Sequence, residues 1–285
     1  MHNHQGHFQM NQPTVSIVVP VFRGMPYLTA LIESIKRQTY SNLELIASVT
    51  PTMDGSEELL HQAGFRVELT PTGTGAATNW TRATEGATGE FTKLICQDDL
   101  LYPDAITQQV ADLTHNPLAC MAIAKRDIVN ASGKTIFTAR GLQGIKPQTT
   151  SLLGPDVLRK TYLHGGNIIG EPLAVLFRTK ELQSVMPWRD DNPLMLDLNT
   201  YTRVASAGSV AIRHDSVGAF RVSSSSWSTN LAKVQLAQTR IWQMEYEDAY
   251  HPSESDKARA AIGRHVQTNT RRAAYTYLKL RGDLT

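Results

Sequence analysis

The feature that most constrains this chain is an alternation of short apolar runs and amphipathic segments through its first 124 residues. Val15 to Val21 (VSIVVPV) is β-branched and nearly all apolar, the pattern of a strand buried on both faces. Pro26 then opens a segment with Leu28, Leu31, Ile32 and Ile35 at helical spacing, ending near Gln38. Leu43 to Val49 reads as a second strand, and the turn Asp54-Gly55-Ser56 starts a short helix to about Ala63. Phe65 to Leu69 is a third strand, Ala76 to Ala87 a helix, and Phe91 to Cys96 a fourth strand. A helix from Pro103 to His115 and a strand from Ala119 to Ala124 complete the series. Connections this short between strands and helices imply a doubly wound α/β sheet with parallel strands. In such sheets ligands bind beyond the carboxyl ends of the strands. The segments that follow the strands are therefore the places to look for chemistry: residues 20–24, 50–56, 70–75 and 97–103.

Beyond residue 125 the rhythm changes. A Ser132-Gly133 turn between β-like arms predicts a hairpin over Ile128 to Phe137. Thr138 to Gly154, rich in Gly, Gln and Thr, predicts an exposed loop. Ala174 to Phe177 and Val217 to Val222 read as strands, and Leu198 to Ser206 as a helix capped by Asp197. Two helices are predicted from Leu231 to Tyr250 and from Asp256 to Leu280.

Composition narrows the classes. With 41% hydrophobic and 19% charged residues over 285 positions, the chain can bury a core without disulfides or structural metals. Its 28 Lys and Arg nearly balance 26 Asp and Glu, so it carries no footprint of a dedicated nucleic-acid binder. Cys96 and Cys120 are too few for a disulfide framework and fit a reducing compartment. No apolar run reaches 18 residues, so no membrane span is expected and the default location is the cytoplasm. The first residues, with His2, His4 and His7, lack the apolar segment of a signal peptide and read as a mobile polar tail rather than a metal site.

Asp54 follows strand two, and the adjacent Asp98 and Asp99 follow strand four. Vicinal carboxylates repel unless a cation or donors hold them, and hard oxygen ligands suit Mg²⁺ or Mn²⁺ completed by phosphate and water. Capping of the following turn and helix accounts for the same spacing, and the residues alone leave both readings open.

Taken together, VSIVVPVFRGMPYLTALIESIKRQTYSNLELI, DGSEE and GAATNWTRATEGATGEFTKLICQDDLLYPDA resemble the inverting family 2 glycosyltransferases. The resemblance covers residues 14–228 and implies a GT-A fold, a mixed α/β sheet, that moves a sugar from a nucleotide donor to an acceptor hydroxyl. It implies that Pro20, Val21 and Arg23 in VVPVFRG meet the nucleotide and that Asp54 recognises the base, with Met53 replacing a preceding acid. Asn79 matches an asparagine that holds the third post-strand loop or the nucleotide. CQDDLLYP matches the metal motif, with Asp98 as ligand for Mg²⁺ or Mn²⁺, Asp99 beside it toward the substrate, and Cys96 in place of the first acid. NIIGEPLAV places Gly170, Glu171 and Pro172 under the acceptor site, where Glu171 either bonds a sugar hydroxyl or is tied to the backbone.

LDLNTYTRVASAG matches the segment of the catalytic base, with Asp197 as that base, Leu196 replacing a first acid and Arg203 matching the downstream arginine. Asp190 and Asp191 are lower-ranked rivals beside an exposed Asn192-Pro193 turn. In FRVSSSSWS, Ser223 stands where the family usually has a histidine, and Ser224, Ser225 and Ser226 either donate to phosphate or form a solvated loop.

These readings divide the chain into a tail (1–13), a GT-A domain (14–228) and a helical C-terminal region (229–285). The implied partners are a nucleotide-sugar donor and a glycan, glycolipid or protein acceptor, with polysaccharide assembly as the family-level context. Arg264, Arg271, Arg272, Lys279 and Arg281 on the last helix suit packing on its own domain or a partner subunit, or peripheral contact with the inner membrane face. Two other classes compete. A sugar-binding module without catalysis fits the departures at Cys96, Leu196 and Ser223, whereas a nucleotidyltransferase would want a Gly-rich basic loop where Phe22-Arg23-Gly24-Met25 stands. Gly73-Thr74-Gly75 resembles a dinucleotide loop but follows the third strand and lacks the third glycine.

Overall fold

A computed structural model describes residues 12–224, 226, 229 and 231–284. The tail histidines His2, His4 and His7, and Ser225, lie outside the described residues.

The alternation becomes one ten-stranded mixed sheet. Its first half runs β3 (Arg66–Leu69), β2 (Leu43–Val49), β1 (Val15–Val21), β4 (Phe91–Leu94), all parallel. The order continues through β9 (Val175–Arg178), antiparallel to both neighbours, to β6 (Ala119–Val129), β10 (Ser209–Arg221) and β5 (Leu100–Leu101). β7 (Thr135–Arg140) forms the expected hairpin with β6.

β1 is apolar throughout because both of its faces are covered. Ile17, Val19 and Val21 belong to a core shared with α1 (Leu28–Lys36), α2 (Ser56–Gln62) and α4 (Ala105–His115). Val18 points the other way, into a core shared with α3 (Ala76–Glu85), α5 (Gly154–His164) and α7 (Leu196–Ala205). Each such Val or Ile contributes about 1.5–3 kcal/mol by leaving water, so the strand is fixed between two layers.

Three expectations need correction. Thr138 to Gly154 is not one exposed loop: β7 runs to Arg140, Leu142 and Ile145 are buried, and β8 (Ser151–Leu153) pairs with β10. Its polar composition hides a segment held mainly by backbone pairing. The last central strand begins at Ser209, not Val217, because Arg213, His214 and Asp215 sit at register shifts and interrupt the apolar pattern. In the tail, Pro13 is tied down, its carbonyl accepting from the Tyr40 hydroxyl.

The C-terminal region forms α8 (Gln235–Tyr250) and α9 (Glu254–Leu280). Trp242, Tyr246 and Ala260 join the core that includes α5 and α7. Tyr246 stacks on Tyr162 at 4.4 Å, and Arg159 makes a two-pronged pair with Asp256. α9 crosses the end of α5 at backbone contact. A Cβ on Gly263 would sit 2.4 Å from the Leu163 carbonyl oxygen, and one on Gly165 would sit 2.0 Å from the Arg264 nitrogen. Only glycine permits that approach, and Gly165 also adopts φ +72°. Gly263→Val should therefore destabilise the fold by about 3 kcal/mol, read as a lower urea midpoint; an unchanged midpoint would contradict this packing.

Candidate active site

The carboxyl ends of β1 to β4 are stitched together by side-chain amides. Gln97 accepts from the Phe22 N–H (2.7 Å) and donates to the Phe22 carbonyl (2.8 Å), joining the loops after β4 and β1. Asn79, buried on α3, donates to the Val21 carbonyl (3.1 Å) and to the Thr50 hydroxyl (3.3 Å), and receives the Thr70 hydroxyl (3.4 Å). It thus locks three strand ends, and Pro20 and Val21 are buried beneath it. Arg23 is exposed at φ +54°, its guanidinium 5.2 Å from the Phe22 ring.

Asp54 accepts from the Thr52 hydroxyl (2.8 Å), the Ser56 N–H (3.2 Å) and hydroxyl (2.8 Å), and the Met25 N–H (3.3 Å). Partial burial raises its pKa, but these donors outweigh burial and hold it below the ordinary value, so it is an anion that braces the loop.

Beside these strand ends lies a pocket of about 180 Å³ that brings Asp98, Glu171 and Asp197 onto one lining. Asp54, Asn79, Pro20, Val21, Arg23 and Asp99 do not line it. Asp98 comes from the loop after β4, Glu171 from the loop before β9, and Asp197 from the first turn of α7. Trp80 and Phe220 add aromatic walls.

Asp99 faces inward with 0% exposure. One of its oxygens accepts the Arg221 N–H at 3.1 Å, and the other has no partner among the described residues. Burial, then the neighbouring Asp98, pushes its pKa well up. Asp98 is also raised, by burial, while the Arg221 charge pulls it back.

Asp197 is not the helix cap expected from the sequence, because α7 starts at Leu196, two residues earlier than expected, and Met195 holds the cap position. Its carboxylate is held at both oxygens, accepting from the Leu198 N–H (2.7 Å) and the Asn167 amide (3.1 Å). Burial first, and then the Glu171 charge, raise its pKa to about 7. Glu171 is ion-paired with Arg126, and that pairing outweighs burial to keep it below the ordinary value. Cys96 lines the same pocket, and burial with four surrounding carboxylates pushes its thiol well up. A neutral thiol there avoids adding another negative charge to a crowded anionic site. Asp191 pairs with Arg189 and is exposed, and Asp190 does not line the pocket.

Several residues escape sequence reasoning. Asn167 opens the NIIGEP segment, and its own side chain also receives the Ile169 and Gly170 N–H groups at 3.0 Å. Arg126 sits just past the expected end of its strand, while Gln235 and Arg271 reach the pocket from α8 and α9 with no local signal. Ser226 lines the pocket, whereas Ser223 is buried and shares a 2.9 Å hydroxyl contact with it.

The described residues hold no group of three or more candidate metal-ligating side chains. Asp98, with the orphaned Asp99 oxygen behind it, fits a hard cation that takes most of its ligands from phosphate and water, as Mg²⁺ and Mn²⁺ do.

The model of the family described as "Glycosyl transferase family 2" matches residues 16–163. An uncharacterized glycosyltransferase of Rickettsia typhi is 32% identical over 101 residues, 34% of this chain and 31% of that protein. One from Haemophilus influenzae is 32% identical over 114 residues, 38% of this chain and 46% of that protein. The chain thus spans less than half the length of these relatives. Among solved structures, TarS of S. aureus in complex with UDP superposes with TM-score 0.59 at 15% identity, over 80% of this chain and 64% of that one. A mannosyltransferase of Pyrobaculum calidifontis, in complex with GDP-Man and Mn²⁺, gives 0.62 at 16% identity, over 96% and 77%. These likenesses show that the fold is that of GT-A glycosyltransferases, with a mixed α/β sheet and a helical C-terminal region. The family match covers more than half of the residues, and the chain belongs to glycosyl transferase family 2.

Proposed function

We propose that this chain transfers a sugar from a nucleotide-sugar donor to an acceptor hydroxyl in a single displacement that inverts the anomeric centre. The observation that carries the reading is the shared lining of one pocket by Asp98 and Asp197, the latter with a pKa near 7. A carboxylate poised near the working pH accepts a proton efficiently. Asp197 takes the proton of the attacking hydroxyl, and the Asn167 amide and Leu198 N–H fix the direction from which it does so. Glu171, held by Arg126, accepts from a sugar or acceptor hydroxyl. Trp80 and Phe220 offer apolar faces to the sugar ring.

Asp98 would hold Mg²⁺ or Mn²⁺, with phosphate and water completing the coordination. When bound, that cation offsets the charge that develops on the departing diphosphate. Asp54, Asn79, Pro20, Val21 and Arg23 shape the neighbouring strand ends against the nucleotide. The acceptor is a glycan, glycolipid or protein hydroxyl. No helix among the described residues is long and apolar enough to cross a membrane. Exposed Ile262, Val266 and Leu280, together with exposed Arg272 and Lys279 on α9, support peripheral attachment to an anionic membrane surface.

The test is release of nucleoside diphosphate from a panel of sugar nucleotides with Mn²⁺, followed against pH. Because the base must be ionised, kcat/KM should rise with pH up to about 7 and level off above it. Glu171→Gln removes a charge that raises the Asp197 pKa, so its rising limb should move to lower pH. Nucleotide binding without release would favour the non-catalytic binding module instead.

A further inference from the structure

Among the described residues, the charged side chains lining the pocket are three carboxylates, Asp98, Glu171 and Asp197, and a single cation, Arg271. Two other guanidinium groups lie nearby and neither lines the pocket: Arg126 is buried and ion-paired with Glu171, and Arg221 is buried and donates to the carbonyls of Asp98, Asn130 and Ala131. A diphosphate brings two or more further negative charges into this space, and one divalent cation offsets only two. A fixed positive group on the lining supplies further compensation at short range.

Arg271 sits on α9, eight residues or about 12 Å along the helix from the glycine contact that docks α9 against α5. Its Nε and Nη2 donate to the Tyr275 hydroxyl at 3.3 and 2.9 Å, and its guanidinium stacks 5.3 Å from that ring. Both contacts fix the direction of a long side chain that would otherwise lose rotamer freedom on binding. Its charge is felt in the pocket, where it helps hold Glu171 ionised. The planar guanidinium fork suits phosphate oxygens better than an ammonium does.

We propose that Arg271 is a substrate-binding residue that contacts phosphate oxygens of the donor's leaving diphosphate, so that the C-terminal helix completes the transfer site. The inference rests on the transfer reading given above. It assigns α9 a direct part in binding, beyond packing against the sheet domain, and it places that part outside the 16–163 span matched by the family model.

The test is calorimetric titration of the full chain with UDP, GDP, CDP, ADP and dTDP in Mn²⁺, on wild type, R271Q, R271K and R272Q. Arg272 is exposed on the same helix and absent from the pocket lining, so it controls for general charge. R271Q should weaken the preferred nucleotide at least tenfold and slow hydrolysis of the matching sugar nucleotide by a larger factor. R271K should recover part of both losses, and R272Q should match wild type within twofold. A melting temperature for R271Q within a few degrees of wild type separates lost binding from lost folding. R271Q binding as tightly as wild type would overturn the role of Arg271 and leave the transfer reading standing. A wild-type chain that binds none of the five nucleotides would overturn both.

Discussion

Asp197→Asn is expected to lower sugar transfer by a factor of about 10²–10⁴, the usual worth of a positioned general base, while making the fold more stable at neutral and higher pH. The two effects have one origin. Asp197 has its pKa raised from 3.8 to about 7, first by burial and then by the Glu171 charge. Between those two values the folded chain keeps a proton that the unfolded chain has released. Stability from this group is therefore complete below about pH 4, falls as pH rises toward 7, and stays low above it. Asparagine never ionises and escapes that loss. A tenfold change in an acid's ionisation constant corresponds to about 1.4 kcal/mol, and after allowing for the lost hydrogen bond from Asn167 the gain at pH 8 should be on the order of 2 kcal/mol. That is a rise of several degrees in Tm, absent at pH 4. Equal melting shifts at both pH values, or wild-type transfer by the variant, would contradict the assignment.

Asp98→Asn should reduce turnover by at least about 10²-fold and abolish the response to Mn²⁺, because the cation then loses its charged protein ligand. The loop itself should survive the change. Its backbone is held by Arg221, whose Nε donates to the Asp98 carbonyl at 2.8 Å and whose N–H donates to Asp99 at 3.1 Å. The same guanidinium donates to the Ala131 carbonyl at 2.9 Å and stacks on Tyr27 at 4.7 Å. None of these contacts uses the Asp98 carboxylate, so the variant isolates its charge. Circular dichroism should match wild type, and turnover should be measured with and without Mn²⁺. Activity that persists undiminished without the metal would remove Asp98 from the site.

What can be read from the sequence follows from which signals are local. β1 and β2 carry their apolar pattern in the residues themselves and run as that pattern predicts, from Val15 to Val21 and from Leu43 to Val49. β10 does not, because Arg213 interrupts it to pair with Asp112 at 2.7 Å and with Asp215 at 3.2 Å. Motif position marks Asp98 and Asp197, but that they share a pocket is a fact of tertiary structure. Asp99, adjacent to Asp98 in sequence, follows a turn and is buried, one of its oxygens accepting the Arg221 N–H at 3.1 Å, an orientation that adjacency in the motif does not reveal. The pocket wall supplied by Gln235 and Arg271 depends on α9 meeting α5 through Gly263 and Gly165, a contact that no periodicity announces.

In the proposed mechanism one acid serves the departing nucleotide and a different one serves the attacking hydroxyl, across a single pocket. The most direct measurement is the affinity of the preferred nucleoside diphosphate, with and without Mn²⁺, for wild type, D98N and D197N. D98N should lose the Mn²⁺-dependent part of binding, whereas D197N should bind within about twofold of wild type despite its lost transfer. Equal weakening by both substitutions, or none by D98N, would contradict that division of labour.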